Sequence, residues 1–241
     1  MPALNQYAPD AVESPLMFQG WKLVTFLHWR YPIAQIRPLV PPDLELDLFD
    51  GSAWVGLVPF VVTQLRSPFI PALPWISQFP ETNVRTYVRD RHGKPSIWFF
   101  TLDAARLPAV LAARTFFRLP YRWARMRVGR RKDIMQYESV RRAPFGSARN
   151  RATIRIGDAM TAEDLDIFLT ARFRLYTLWG GRVAFVDAEH PPWPLHRAEV
   201  IRLEQNLIEE SGVPAAAGSP LVHYSPGVDA RIAPPKYLPL F

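Results

Sequence analysis

The chain has 241 residues, 49% hydrophobic and 13% aromatic, enough for a substantial core in one large domain or two small ones. It contains no cysteine, which excludes a disulfide framework, a thiolate nucleophile and a cysteine metal site. The net charge of +7 is carried almost entirely by arginine, since the lysines are Lys22, Lys94, Lys132 and Lys236. Arginine suits the paired hydrogen bonds that planar carboxylates and phosphates accept.

The first residues, 1–16, read as a loosely held N-terminal arm, with one domain over 17–241. They show neither a basic start nor an apolar run before a cleavage site, so a cytoplasmic protein is expected. The apolar stretch from Trp54 to Val62 falls well short of the roughly 20 residues a membrane-spanning helix needs. Order is expected from Met17, where Trp21, Leu23, Thr25 and Leu27 alternate with Lys22, Val24, Phe26 and His28, as in a strand buried on both sides. Pro32 opens a short helix containing Ile33, Ile36 and Leu39. Leu44 to Leu48 and Trp54 to Val62 then form a hairpin around Asp50-Gly51. Four prolines interrupt the apolar run between Leu65 and Pro80, which reads as a loop draped over a pocket.

The stretch from Phe79 to Tyr121 carries the candidate site. In its first strand Glu81, Asn83, Arg85 and Tyr87 share one face, because successive side chains point to opposite sides. Such a row serves either as an outward polar face or as the lining of a cavity that binds a small ligand. Glu81 and Arg85 lie about 13 Å apart along the strand, too far for a direct ion pair. A second strand runs from Ser96 to Leu102. Asp103 then offers an N-cap to a helix over 104–118, unless Pro108 marks the true start. On that helix Arg114 shares the face of Leu107, Val110 and Leu111, with its stem against the core and its head either in solvent or in the site.

Three arginine-rich strands follow, at Ala124–Val128, Ile134–Val140 and Ala152–Ile156. Their alternation suits the solvated outer face of an antiparallel sheet, and without exposed stacking aromatics nucleic acid is not an expected partner. A helix over 162–172, a hairpin around Gly180-Gly181, a helix from Arg197 to Glu210 and terminal strands turning at Ser225-Pro226-Gly227 complete the reading. The five histidines show no metal-binding spacing, and neither a phosphate loop, a dinucleotide fingerprint nor a nucleophile elbow occurs. No cofactor is implied.

A set of motifs extends these readings: FLHWRYP at 26–32, LELDLFDGSAWVGLVPF at 44–60, FPETNVRTYV at 79–88, SIWFFTLDA at 96–104, ARTFFRLPY at 113–121 and HYSPGVD at 223–229. Together they resemble the YqjF-like family, a bacterial family of unknown function (DUF2071), which in turn resembles the acetoacetate decarboxylase superfamily. That resemblance implies a mainly β (α+β) fold, a cone-shaped antiparallel β-barrel with flanking helices and an internal pocket, and makes self-association compatible. It also implies site residues. Glu81, two residues after Phe79, is similar to the acid of a decarboxylase Tyr-x-Glu motif. Arg114-Thr-Phe-Phe-Arg-Leu-Pro-Tyr121 is similar to the decarboxylase pattern Arg-Glu-x-x-Gly-x-Pro-Lys. Arginine and proline are kept, but Tyr121 stands where the Schiff-base lysine would, and a phenol cannot form an iminium. Lys94, in a solvated turn, is a poor substitute.

The resulting expectation is a non-Schiff-base relative that binds a small organic acid or carbonyl compound. Glu81 and Tyr121 would serve as catalytic groups, with Asn83, Arg85 and Arg114 as substrate-binding groups. The alternative is a ligand-binding or sensor module with the same pocket.

Overall fold

The computed structural model describes residues 5–238. Strand β1 (Met17–Tyr31) leads through helix α1 (Ile33–Ile36) and the short β2 (Glu45–Leu46) into β3 (Ala53–Arg66), β4 (Phe79–Arg89) and β5 (Pro95–Ala104). Helix α2 (Leu107–Phe116) crosses to β6 (Tyr121–Arg131), followed by β7 (Ile134–Arg141) and β8 (Arg149–Ala159). Helix α3 (Asp164–Thr170) precedes β9 (Arg174–Trp179), β10 (Arg182–Glu189), β11 (His196–Gln205), β12 (Leu221–Ile232) and β13 (Lys236–Tyr237).

The pairings close twice. From β5 they run through β4, β3, β1, β12, β11, β8, β7 and β6 back to β5, and a second path joins β12 to β5 through β10 and β9. The two rings share the wall β12-β1-β3-β4-β5. All pairs are antiparallel except the short contacts of β5 with β6 and with β9. The first ring is filled by apolar side chains, among them Leu27, Leu57, Val84, Met135, Tyr137, Ala152 and Ile154. The second ring holds a cavity.

A shared wall must be apolar on both faces, which is why β1 and β3 read as near-continuous hydrophobic runs. β1 does not alternate simply. Leu23 has φ +52°, and the pairing with β3 slips between Lys22 and Leu27. The irregularity changes the phase, so Trp21 and Val24 both line the cavity while Thr25 and Leu27 point into the filled ring. Opposite it, Ser225-Pro226-Gly227 is a kink inside the continuous β12 and not a turn between strands. Only glycine suits position 227: its φ is +119°, and a Cβ there would lie 2.0 Å from the Trp21 carbonyl oxygen.

Four further expectations are corrected. Residues 196–205 form a strand, where a helix over 197–210 was expected. β11 completes the first ring against β8 and β12, and a register slip between Val200 and Arg202 turns both Val200 and Leu203 inward. The slip brings to one side two apolar residues whose three-residue spacing imitates a helix. Asp103 is not an N-cap: it is fully buried and ion-paired with Arg141 at 2.9 Å, while α2 begins at Leu107 with Pro108 in its first turn. Arg141 is accordingly the buried member among the arginines of β6 to β8, of which Arg122 is half-buried and the others are exposed. The proline-rich loop exposes Phe69, Ile70, Leu73 and Trp75 instead of burying them over the cavity. Finally, the described part of the N-terminal arm is tied down: Val12 is buried, its amide donates to Glu189 at 2.8 Å, and Asp10 pairs with Lys94 at 2.8 Å.

Candidate functional site

The cavity has a volume of about 210 Å³ and takes side chains from all seven strands of the second ring. Ala109, Ala112 and Ala113 of α2 line it on one side, and Thr170 at the end of α3 lines it on another. Strand β4 supplies its polar floor. Glu81, Asn83 and Arg85 all face it, whereas Val84 and Val88 from the opposite face pack in the filled ring. Alternation along one strand therefore serves both interiors.

Glu81 is 4% exposed, and the Tyr121 hydroxyl donates to its Oε2 at 2.8 Å. Burial pushes the Glu81 carboxyl up to about 8, against the lowering effect of the Tyr121 hydrogen bond and with a small push from Asp103. At neutral pH the group is mostly a neutral acid. Burial, reinforced by Glu81, also holds the Tyr121 phenol well above its ordinary value, so it stays protonated. Asn83 stands next along the strand, and its Oδ1 has no hydrogen-bond partner.

Arg85 is 8% exposed. One Nη2 bond reaches the Leu169 carbonyl at 3.2 Å, its Nε has no partner, and its Cζ lies 5.6 Å from the Phe26 ring centre. Among the described residues it makes no ion pair with a carboxylate. The other guanidiniums at the wall have ion pairs, although Arg172 Nη2 has no hydrogen-bond partner. Arg172 donates to the buried Asp47, which also accepts from Arg89, and Arg174 bonds Asp187 at 2.6 and 3.0 Å.

Behind Arg85, His28 Nε2 and the Tyr87 hydroxyl lie 2.6 Å apart, and that hydroxyl donates to the Leu169 carbonyl at 2.7 Å. Burial, with the nearby Arg85 charge, keeps His28 well below its ordinary pKa and hence neutral. The contact requires Gly56, because a Cβ there would stand 2.9 Å from His28 Nε2. Burial likewise lowers His190, a cavity-lining residue. It also lowers His223, although Asp166 lies 3.0 Å from its Nε2.

Of the residues singled out from sequence, the cavity gathers Glu81, Asn83, Arg85 and Tyr121 but not Arg114. The Arg114 guanidinium donates to the Tyr121 carbonyl at 2.8 Å and stands over the Phe145 ring. It braces the backbone that carries the phenol, because its helix face turns toward the start of β6 instead of the cavity. Tyr87 belongs to the layer beneath. Lys94 bonds Asp10, and no lysine lines the cavity among the described residues.

Residues 18–229 match the DUF2071 family of uncharacterised conserved proteins. The chain is a member of that family. It is 39% identical over 232 residues, 95% of each chain, to the uncharacterised protein YqjF of Bacillus subtilis (strain 168). Among solved structures it is similar to the enduracididine biosynthesis enzyme MppR complexed with pyruvate, with a TM-score of 0.68, 13% identity and coverage of 96% of this chain and 93% of that one. It is also similar to acetoacetate decarboxylase from Legionella pneumophila, with a TM-score of 0.65, 14% identity and coverage of 99% and 92%. An acetoacetate decarboxylase-like enzyme from Sphingomonas wittichii RW1 gives a TM-score of 0.65 at 12% identity, covering 98% of both chains. These likenesses establish an acetoacetate decarboxylase-like fold. Among the described residues, no helix of this DUF2071 member is long and apolar enough to cross a membrane.

Sequence reasoning missed Arg172, Arg174, His190 and Trp193, which reach the cavity from the start of β9 and from the segments before β9 and after β10. The one local signal was density: Arg172-Phe-Arg174 and His190-Pro-Pro-Trp193 pack cations and aromatics into short stretches beside a hairpin. Asp47 was also missed. It alternates with leucines as an outward residue would, yet it lies buried between two arginines.

Proposed function

We propose that the cavity binds a small organic acid or carbonyl compound and acts on it without Schiff-base chemistry. Arg85 holds the carboxylate. Glu81, kept protonated by its surroundings and oriented by Tyr121, donates to a carbonyl, and Asn83 stands between Glu81 and Arg85 on the same face. Arg114 is a positioning residue that fixes the Tyr121 backbone.

The observation that carries this reading is a buried guanidinium without a carboxylate partner among the described residues, on the same cavity wall as a buried carboxyl whose pKa burial raises. A buried charge is costly unless paired, so Arg85 is poised for an anion supplied from outside the chain. A protonated carboxyl is the form that can donate to a carbonyl oxygen. The MppR structure is described as complexed with pyruvate, a compound with both of these groups, and its shared fold supports a cavity of this use.

The test is a turnover screen with 2-oxo and 3-oxo acids, followed by NMR of the products. The expected result is turnover that Glu81→Gln abolishes while binding survives, and that falls as pH rises through about 8. Borohydride should trap no covalent adduct, and a trapped lysine adduct would overturn the reading. Saturable binding without turnover by any acid would assign the cavity to a non-catalytic ligand-binding module.

A further inference from the structure

The charges around the cavity nearly cancel. Arg172 shares Asp47 with Arg89, which lies outside the lining, and Arg174 is bonded to Asp187 and stands 3.8 Å from Asp90, leaving Arg85 as the lining guanidinium without an ion pair among the described residues. Burial keeps His190 below its ordinary pKa and Glu81 above it, so neither contributes a full charge at neutral pH. One uncompensated positive charge calls for one negative charge. A second carboxylate on the ligand would meet no cation among the described lining residues at the Glu81 end, where Phe60, Phe79 and Tyr121 stand beside the acid.

The remaining wall is apolar, with an aromatic group beside Arg85 set among aliphatic side chains. Trp193 meets Phe26 edge-on at 5.2 Å and stacks on Trp21 at 6.1 Å. Its indole N–H is already used, donating to the Thr170 carbonyl at 3.0 Å, so the ring presents only apolar surface. Phe26 is also the ring beside the Arg85 guanidinium, which places the anion anchor and the aromatic wall in contact. The 210 Å³ of space exceeds the roughly 150 Å³ of an apolar cavity able to hold a benzene ring. A two- or three-carbon acid would leave most of that apolar space unfilled.

We infer that the ligand is a monocarboxylate with an aromatic or similarly bulky apolar body, its carboxylate on Arg85 and its body against Phe26 and Trp193. The inference rests on the proposed use of the cavity as an organic-acid site and narrows it to one class. Aromatic rings in such walls gain from edge-on contact as well as from leaving water.

Titration calorimetry at pH 7 on the native chain tests it with 3-phenylpropionate, pyruvate, acetate, benzylmalonate and the uncharged 3-phenylpropanamide. The expected result is saturable binding of 3-phenylpropionate, with acetate and pyruvate weaker by about tenfold or more. The amide and the dicarboxylate should also be weaker by about tenfold or more, and Arg85→Met should lose the preference for acid over amide. Should Arg85→Met fail to fold, the acid and amide on the native chain decide alone. Pyruvate or acetate binding as tightly as 3-phenylpropionate would overturn the inference and leave the organic-acid reading intact. The amide binding as tightly as the acid would remove Arg85 as the anchor, and binding by none of the acids would defeat both.

Discussion

The two interiors on either side of the shared wall are built from the same strands and differ in almost every other respect. The nine-stranded ring is filled with Leu, Val, Ile, Met and Tyr; its buried charge, Asp103 with Arg141, is paired, and its unpartnered polar side chains, Ser139 and Asn150, are uncharged. The seven-stranded ring keeps an open cavity and tolerates a guanidinium without an anion and a carboxyl forced to remain protonated. Packing gives a filled interior its stability, whereas unpaired buried polar groups cost stability and are retained where a ligand uses them. The contrast separates what holds this protein together from what it does.

The sharpest way to break the contrast is to unpair the cavity's matched arginine. Asp47→Ala leaves Arg172 buried without a counter-ion and should cost about 3–5 kcal/mol in chemical denaturation, an effect that exposed pairs such as Arg155–Glu199 should not approach. A second test uses proton linkage. Because the folded Glu81 carboxyl titrates near 8 and the unfolded one near 4.5, the folded chain holds the extra proton between those values. Its contribution is therefore fully present below pH 4.5 and is lost as pH rises toward 8. Glu81→Gln cannot titrate, so its stability advantage over the native chain should open above pH 4.5 and reach about 3 kcal/mol by pH 7. A constant difference across pH would refute the raised pKa.

Smaller effects compare the two spaces directly. Ala152→Leu inserts bulk into the filled ring and should cost about 1–3 kcal/mol, while Ala109→Leu enters the cavity and should change stability by less than about 0.5 kcal/mol while blocking ligand. Equal costs at the two sites would mean that the cavity is closed in solution. Gly56→Ala pushes on His28 and should destabilise by about 1 kcal/mol, with the His28–Tyr87 bond lost in the imidazole NMR signals.

The sequence made the polar half of the site legible because β4 alternates strictly: Glu81, Asn83 and Arg85 were placed on one face by period alone. The partnership of Glu81 with Tyr121 came through motif resemblance, since no local pattern joins residues forty positions apart. Elsewhere the period misled. The irregularity at Leu23 and the slip in β11 each change phase inside a strand, and at β11 the result imitates a helix. Asp47 with Arg172, and Asp103 with Arg141, depend on ring closure between distant strands, and a single sequence offers no signal for that. The exposure of Phe69 and Trp75 likewise runs against composition, which favours burial of such residues.

A crystal structure of the protein soaked with 3-phenylpropionate addresses the central claim most directly. The account predicts electron density inside the seven-stranded ring, with the carboxylate within hydrogen-bonding distance of Arg85 and the phenyl ring against Phe26 and Trp193. A carboxylate seated away from Arg85, or an empty cavity at a concentration that saturates binding in solution, would contradict it.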